Sequence, residues 1–199
     1  MGQSAKMTKA EHFQKVKHYL AGKWSKSARY REFIIDLTDQ EVNQAKRVAQ
    51  QRIDKHKKIG RRKGNIQRET LGALGEMATI KWFVDQGYEA SFQKFFESNV
   101  SLDHEDEFDT DLVWNGEEVS VEIKATQKPM NSKLIVSKKQ FENKNAEVYV
   151  LVCQISESKY CIKGFASSED LEKDPDLKYG AYSVNEKNLK INLEDLLNK

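Results

Sequence analysis

The chain has 199 residues, 38% of them hydrophobic and 32% charged, enough for one compact domain with an appendage. Its net charge of +2 conceals a split: residues 1–70 hold 18 Lys/Arg against 7 Asp/Glu, and the rest hold 15 against 24, so a polyanion is drawn to the first part while carboxylates concentrate in the second. No apolar run approaches the roughly 18 residues of a membrane span, the first residues lack the apolar core of a signal peptide, and two cysteines, Cys153 and Cys161, make no disulfide framework, so a cytoplasmic setting without a membrane partner is expected.

Residues 8–35 show broken helical periodicity, with Phe13, Val16, Leu20 and Trp24 on one side. A clearer helix follows, in which Thr38 and Glu41 have capping-box spacing and Val42, Ala45, Ala49 and Ile53 form one apolar stripe. It runs out in HKKIGRRKGNIQR (56–68), where Gly60 and Gly64 interrupt a basic cluster; a linker or a nucleic-acid-contacting loop is expected there. Residues 69–86 read as an apolar helix ended by Gly87. A strand is expected over 88–96, then a polar, acidic loop through Asp109.

Two short runs, 111–114 and 117–126, are joined by Asn115-Gly116. Asn-Gly between apolar runs is the strongest short hairpin signal, because a type I′ turn needs positive φ at both positions. Residues 137–145 predict a helix, and 147–155 form a continuous apolar run suited to a central strand covered on both faces. A strand over 160–166, a short helix begun at Ser167 or Ser168, and a final strand and helix complete the chain.

In EEVSVEIKAT the side chains alternate, so Val119, Val121 and Ile123 take one face while Ser120, Glu122 and Lys124 share the other. Asp111 heads the preceding strand of the same hairpin, near the end that carries Glu122. Two carboxylates beside a lysine suit phosphodiester hydrolysis: they can hold Mg²⁺, which polarises a phosphate and lowers the pKa of a bound water, while the lysine orients that water or stabilises charge on the phosphate. A Glu-x-Lys pair alone is more often a solvent-facing ion pair of little worth. The helix before the hairpin adds a further carboxylate: Gly72, Gly75, Glu76 and Thr79 share one face, and the small residues admit a close neighbour. His104 stands in an acidic loop without other ligands at recognisable spacing, and no zinc spacing or phosphate-binding glycine loop occurs.

GALGEMATIKWF, then DLVWNG, then VSVEIKAT resembles the core of the PD-(D/E)xK nuclease superfamily over residues 69–155. On that resemblance the motif aspartate falls on Asp111, the (D/E)xK residues on Glu122 and Lys124, and the helix glutamate on Glu76. Thr110 stands where the family's proline is usual, and Asp109 rivals Asp111 as the metal aspartate; Asp111 is preferred because it directly heads the apolar run. Gln140, on the next helix, occupies a place where some members carry an assisting glutamine. The resemblance implies an α/β fold with a central mixed β-sheet flanked by helices, the restriction-endonuclease-like fold. It also implies Mg²⁺ dependence with Mn²⁺ substituting, and cleavage of DNA.

The expected organisation is a basic helical N-terminal region over 1–68 and a nuclease-like core over 69–199. The expected function is a Mg²⁺-dependent endodeoxyribonuclease in which Asp111, Glu122 and Glu76 bind metal and Lys124 assists the attack. Arg52, Lys55, Lys57, Lys58, Arg61, Arg62 and Lys63 are expected to contact phosphates of duplex DNA, giving salt-dependent affinity. Thr126 and Gln127 at the strand end are further contacts. Alternatives are a structure-specific nuclease for junctions or repair, a non-cleaving nucleic-acid-binding protein with the same fold, and a homodimer formed through the N-terminal helices.

Overall fold

The computed structural model describes residues 33–58, 65–90, 92–97, 109–127, 133–143, 146–173, 175–176 and 180–197. The chain divides into two units, Met1–Glu32 and Phe33–Lys199, and the described residues all belong to the second. The helical periodicity read over 8–35 and the residues Arg61, Arg62, Lys63 and His104 therefore lie outside the described residues, apart from Phe33–Ile35.

Strand β1 (Ile34–Asp36) leads into helix α1 (Asp39–Lys58). The capping box forms as its spacing predicts: the Thr38 N–H donates to Glu41 Oε2 at 2.6 Å, and the Glu41 N–H donates to Thr38 Oγ1 at 3.2 Å. Val42, Ala45, Val48, Ala49 and Ile53 are buried along one side. Helix α2 (Ile66–Asp85) starts three residues earlier than the periodicity predicted, because the Asn65 side chain caps it by accepting from the Gln67 N–H. The boundary expected between 68 and 69 falls inside the second unit: α1 and α2 pack together and share one apolar core.

Residues 88–96 hold a two-residue strand, β2 (Glu89–Ala90), and then helix α3 (Phe92–Glu97) in place of the single strand expected. The three phenylalanines of FQKFFE have helical spacing, which brings Phe95 fully into the core while Phe96 stays exposed. Strands β3 (Thr110–Trp114) and β4 (Glu117–Thr126) form the predicted hairpin, with φ of 54° at Asn115 and 85° at Gly116. Beyond it lie β5 (Lys133–Ser137), α4 (Lys138–Asn143), β6 (Val148–Gln154) and β7 (Lys159–Ser167). Helix α5 (Ser168–Glu172), capped by Ser167, precedes β8 (Pro175–Asp176), β9 (Ala181–Asn185), a 3-10 turn (Glu186–Asn188) and α6 (Glu194–Leu197).

The fold is α/β. Six strands form a mixed sheet in the order β1-β7-β6-β4-β3-β2, parallel only between β4 and β6. A second, antiparallel sheet has the order β5-β9-β8. Strand β6 is central and apolar on both faces, as its continuous hydrophobic run predicts. Val148, Val150 and Val152 join the core with α1 and α2, whereas Tyr149 and Leu151 join a second core with Leu134, Val136, Phe141 and Val184. Among the described residues, no helix is long and apolar enough to cross a membrane.

Helix α2 lies unusually close to the sheet at Gly75: a Cβ there would come within 2.6 Å of Ala125 Cβ and 3.0 Å of Val152 Cγ1. The small-residue face thus does what its pattern predicts at Gly75. At Gly72 a Cβ would meet only Glu76 Oε1, at 3.8 Å.

Candidate active site

The β3–β4 hairpin aligns the site. Its register pairs Thr110 with Val121 and Asp111 with Ser120, so one step further back Asp109 reaches the rung of Glu122. The Ile123 N–H donates to Asp109 Oδ2 at 2.7 Å, fixing that carboxylate beside β4. Asp111 is one rung nearer the turn, opposite Ser120. Asp109, the rival aspartate, thus stands across from Glu122, with Asp111 one rung away toward the turn. Side chains two apart on a strand share a face, so alternation allowed either, and the register chose.

Glu122 is 3% exposed and stands on the β4 face turned toward α4. Its Oε1 accepts from Lys124 Nζ at 2.5 Å and from Gln140 Nε2 at 2.5 Å. Its Oε2 is buried and has no hydrogen-bond partner. Gln140 is held in turn by α4, whose first turn is tied to β5 through the Gln140 N–H and Ser137 Oγ at 3.2 Å. The glutamine picked out in the sequence thus reaches the site.

Glu76 is 4% exposed and comes from α2. Arg52 of α1 binds it with two hydrogen bonds, Nη1 to Oε1 at 2.6 Å and Nη2 to Oε2 at 2.5 Å, the bidentate geometry that a planar guanidinium favours. The Arg52 guanidinium also lies 5.9 Å from the centre of the Phe95 ring. Burial opposes its charge, but Glu76 first, then Asp109 and Glu69, hold its pKa above the ordinary guanidinium value.

Asp109 feels all of these groups. Burial, then the charges of Glu122 and Glu76, push its carboxyl well above the ordinary carboxylate range; Lys124 and the Ile123 N–H offset this only in part. Two cations and three carboxylates thus converge where β3 begins. As placed, no three His, Cys, Asp or Glu side chains among the described residues are gathered tightly enough to close on one ion; the carboxylates are instead held by Arg52, Lys124, Gln140 and the Ile123 N–H. Hard carboxylate oxygens with one buried atom unpartnered are nonetheless the donor chemistry of a Mg²⁺ site.

The other predicted residues divide. Arg52 is directed at Glu76 through both terminal guanidinium nitrogens. The signal was present in the sequence, since Arg52 follows the buried Val48 by four residues and Ala49 by three, on the flank of the apolar stripe. Lys55 is half-buried and Lys57 and Lys58 are exposed in the last turn of α1, with Lys57 3.3 Å from Asp54. Thr126, half-buried, and Gln127, exposed, lie at the end of β4 beyond Lys124.

Compared with known proteins, the chain matches no family model and no curated sequence.

Proposed function

We propose that this chain is a Mg²⁺-dependent endonuclease that hydrolyses phosphodiester bonds in DNA, built on a restriction-endonuclease-like fold. The observation that carries the reading is the buried Oε2 of Glu122, unpartnered beside Lys124 and Asp109. A buried carboxylate oxygen left without a partner is costly, and a hard cation at that position would satisfy it while relieving the crowding of Asp109, Glu122 and Glu76.

On this reading Asp109 and Glu122 hold the cation and Glu76 supports its water shell, with Mn²⁺ able to substitute. The cation, when bound, supplies Lewis-acid polarisation of the phosphate and a lowered water pKa. Lys124 orients the attacking water and holds positive charge against the phosphate oxygens. Gln140 fixes the Glu122 carboxylate, the Ile123 N–H fixes that of Asp109, and Arg52 fixes Glu76. Lys55, Lys57 and Lys58 contact phosphates outside the site. The test is incubation with supercoiled, linear, branched and single-stranded DNA, in Mg²⁺ and in EDTA. Cleavage confined to Mg²⁺ and lost in Glu122→Ala is expected; cleavage that survives this substitution rejects the assignment.

One observation favours a second reading, a nucleic-acid-binding protein that does not cleave. Lys124 and Arg52 are each already paired with a carboxylate, as in a structural ion-pair network. Retention of duplex DNA at low salt without Mg²⁺-dependent nicking would select it.

A further inference from the structure

The two buried glutamates of the site are satisfied to different degrees. Glu122 accepts through Oε1 from Lys124 and Gln140 and leaves Oε2 without a partner. Glu76 has both oxygens taken, Oε1 by Arg52 Nη1 at 2.6 Å and Oε2 by Arg52 Nη2 at 2.5 Å. A guanidinium set in this way occupies the carboxylate edge that a hydrated cation would otherwise use. Asp109 and Glu69 also act on the Arg52 charge, so the cluster as a whole shares it.

The contact does two things at once: it fixes Glu76 and it occupies Glu76. Fixing adds little, because the turn that carries Glu76 is already held against the sheet at Gly75, where a Cβ would come within 2.6 Å of Ala125 Cβ. Occupation is complete, because both oxygens are engaged. Arg52 is the partner able to leave. Its side chain is 20% exposed against 6% for Glu76, and a charge that keeps part of its contact with water loses less on release than a sealed one.

We propose that Arg52 competes with the divalent cation for Glu76 and so sets the metal concentration at which the site fills. This competition rests on the metal site of the nuclease reading and concerns its regulation. In the metal-free chain Arg52 balances the Glu76 charge. It gives up at least one of its two bonds when Glu76 turns to the water shell of the cation. A residue that only held Glu76 in place would weaken metal binding when removed; a competitor strengthens it.

The test is Mn²⁺ binding to the full chain without DNA, read from the electron paramagnetic resonance signal of free Mn²⁺, with Mg²⁺ as competitor. Salt of about 0.3 M screens remote exposed charges. Arg52→Gln is expected to bind Mn²⁺ about tenfold tighter. Arg52→Lys keeps the charge but cannot make two parallel bonds, and should bind about threefold tighter; it carries the test if Arg52→Gln does not fold. In a Glu76→Gln background, Arg52→Gln should change the affinity by less than about threefold. Unchanged or weaker binding in the Arg52 variants, or an equal gain with and without Glu76, overturns the proposal and leaves the metal site standing. Absence of Mn²⁺ binding in the parent and in every variant rejects the metal site itself, and the competition with it. Tighter binding that depends on Glu76 supports the competition whether or not DNA is cleaved.

Discussion

Arg52 and Glu76 join helices α1 and α2 through two parallel hydrogen bonds of 2.6 and 2.5 Å, with side chains 20% and 6% exposed. Removing one partner of such a pair leaves the other charge in a poor environment, which costs more than the pair itself contributes. Arg52→Ala and Glu76→Ala are each expected to destabilise the fold by about 2–3 kcal/mol, toward the low end for buried pairs because Arg52 keeps some solvent. Urea denaturation of both single variants and the double variant measures this. Additive losses in the double variant would show that the two side chains are not coupled.

The placement of Asp109 beside Glu122 separates two neighbouring aspartates by activity. Under the nuclease reading, Asp109→Asn should reduce Mg²⁺-dependent cleavage by about 100-fold or more, since a metal carboxylate contributes several kcal/mol to charge stabilisation. Asp111→Asn, one rung away opposite Ser120, should stay within about threefold of the parent. Single-turnover cleavage of a plasmid substrate reads both, and the reverse ranking would return the metal to Asp111.

Stability should depend on pH through Asp109. Its folded-state pKa is raised, chiefly by burial and then by Glu122 and Glu76, above the value of about 3.9 in an unfolded chain. Its contribution is therefore fully present below about pH 4 and is lost as pH rises through the folded value. In EDTA, Asp109→Asn should become progressively more stable relative to the parent from about pH 4 to pH 8. A difference that does not change with pH would contradict this electrostatic account. Adding Mg²⁺ at the upper end should stabilise the parent more than the variant, because a ligand of the folded state alone shifts the equilibrium by mass action.

Two glycines on one helical face should respond in opposite directions. Gly75→Ala places a methyl 2.6 Å from Ala125 Cβ and 3.0 Å from Val152 Cγ1, and overpacking of that kind costs about 1–3 kcal/mol, more than the gain in helix propensity of about 1 kcal/mol. Gly72→Ala meets only an ordinary contact at 3.8 Å, so the propensity gain of about 1 kcal/mol should stand. Thermal melts of the two variants check the signs. Ala125→Gly in the Gly75→Ala background should recover part of the loss, because it removes the nearest clashing atom.

Much of the architecture was legible because it rests on signals a few residues apart. Thr38 and Glu41 close a capping box within one helical turn, Asn115-Gly116 supplies the positive φ that its turn needs, and the apolar run at 147–155 marks a strand buried on both faces. Short segments of weak pattern were not legible. FQKFFE reads as the end of a strand over 88–96 but folds as a helix that puts Phe95 in the core, and β5 was not anticipated at all, since its five residues are held by pairing with β9, about fifty residues away. For the site, the sequence by itself determined which side chains share a strand or helix face: Glu122 with Lys124, and Gly72 with Glu76. Only the tertiary structure decided which of these faces meet. It paired Glu122 with Asp109 through the hairpin register, turned Arg52 from a surface cation into the partner of Glu76, and brought Gln140 across from a separate layer. Face membership follows from backbone periodicity, whereas these meetings depend on contacts between elements whose separation along the chain carries no such period.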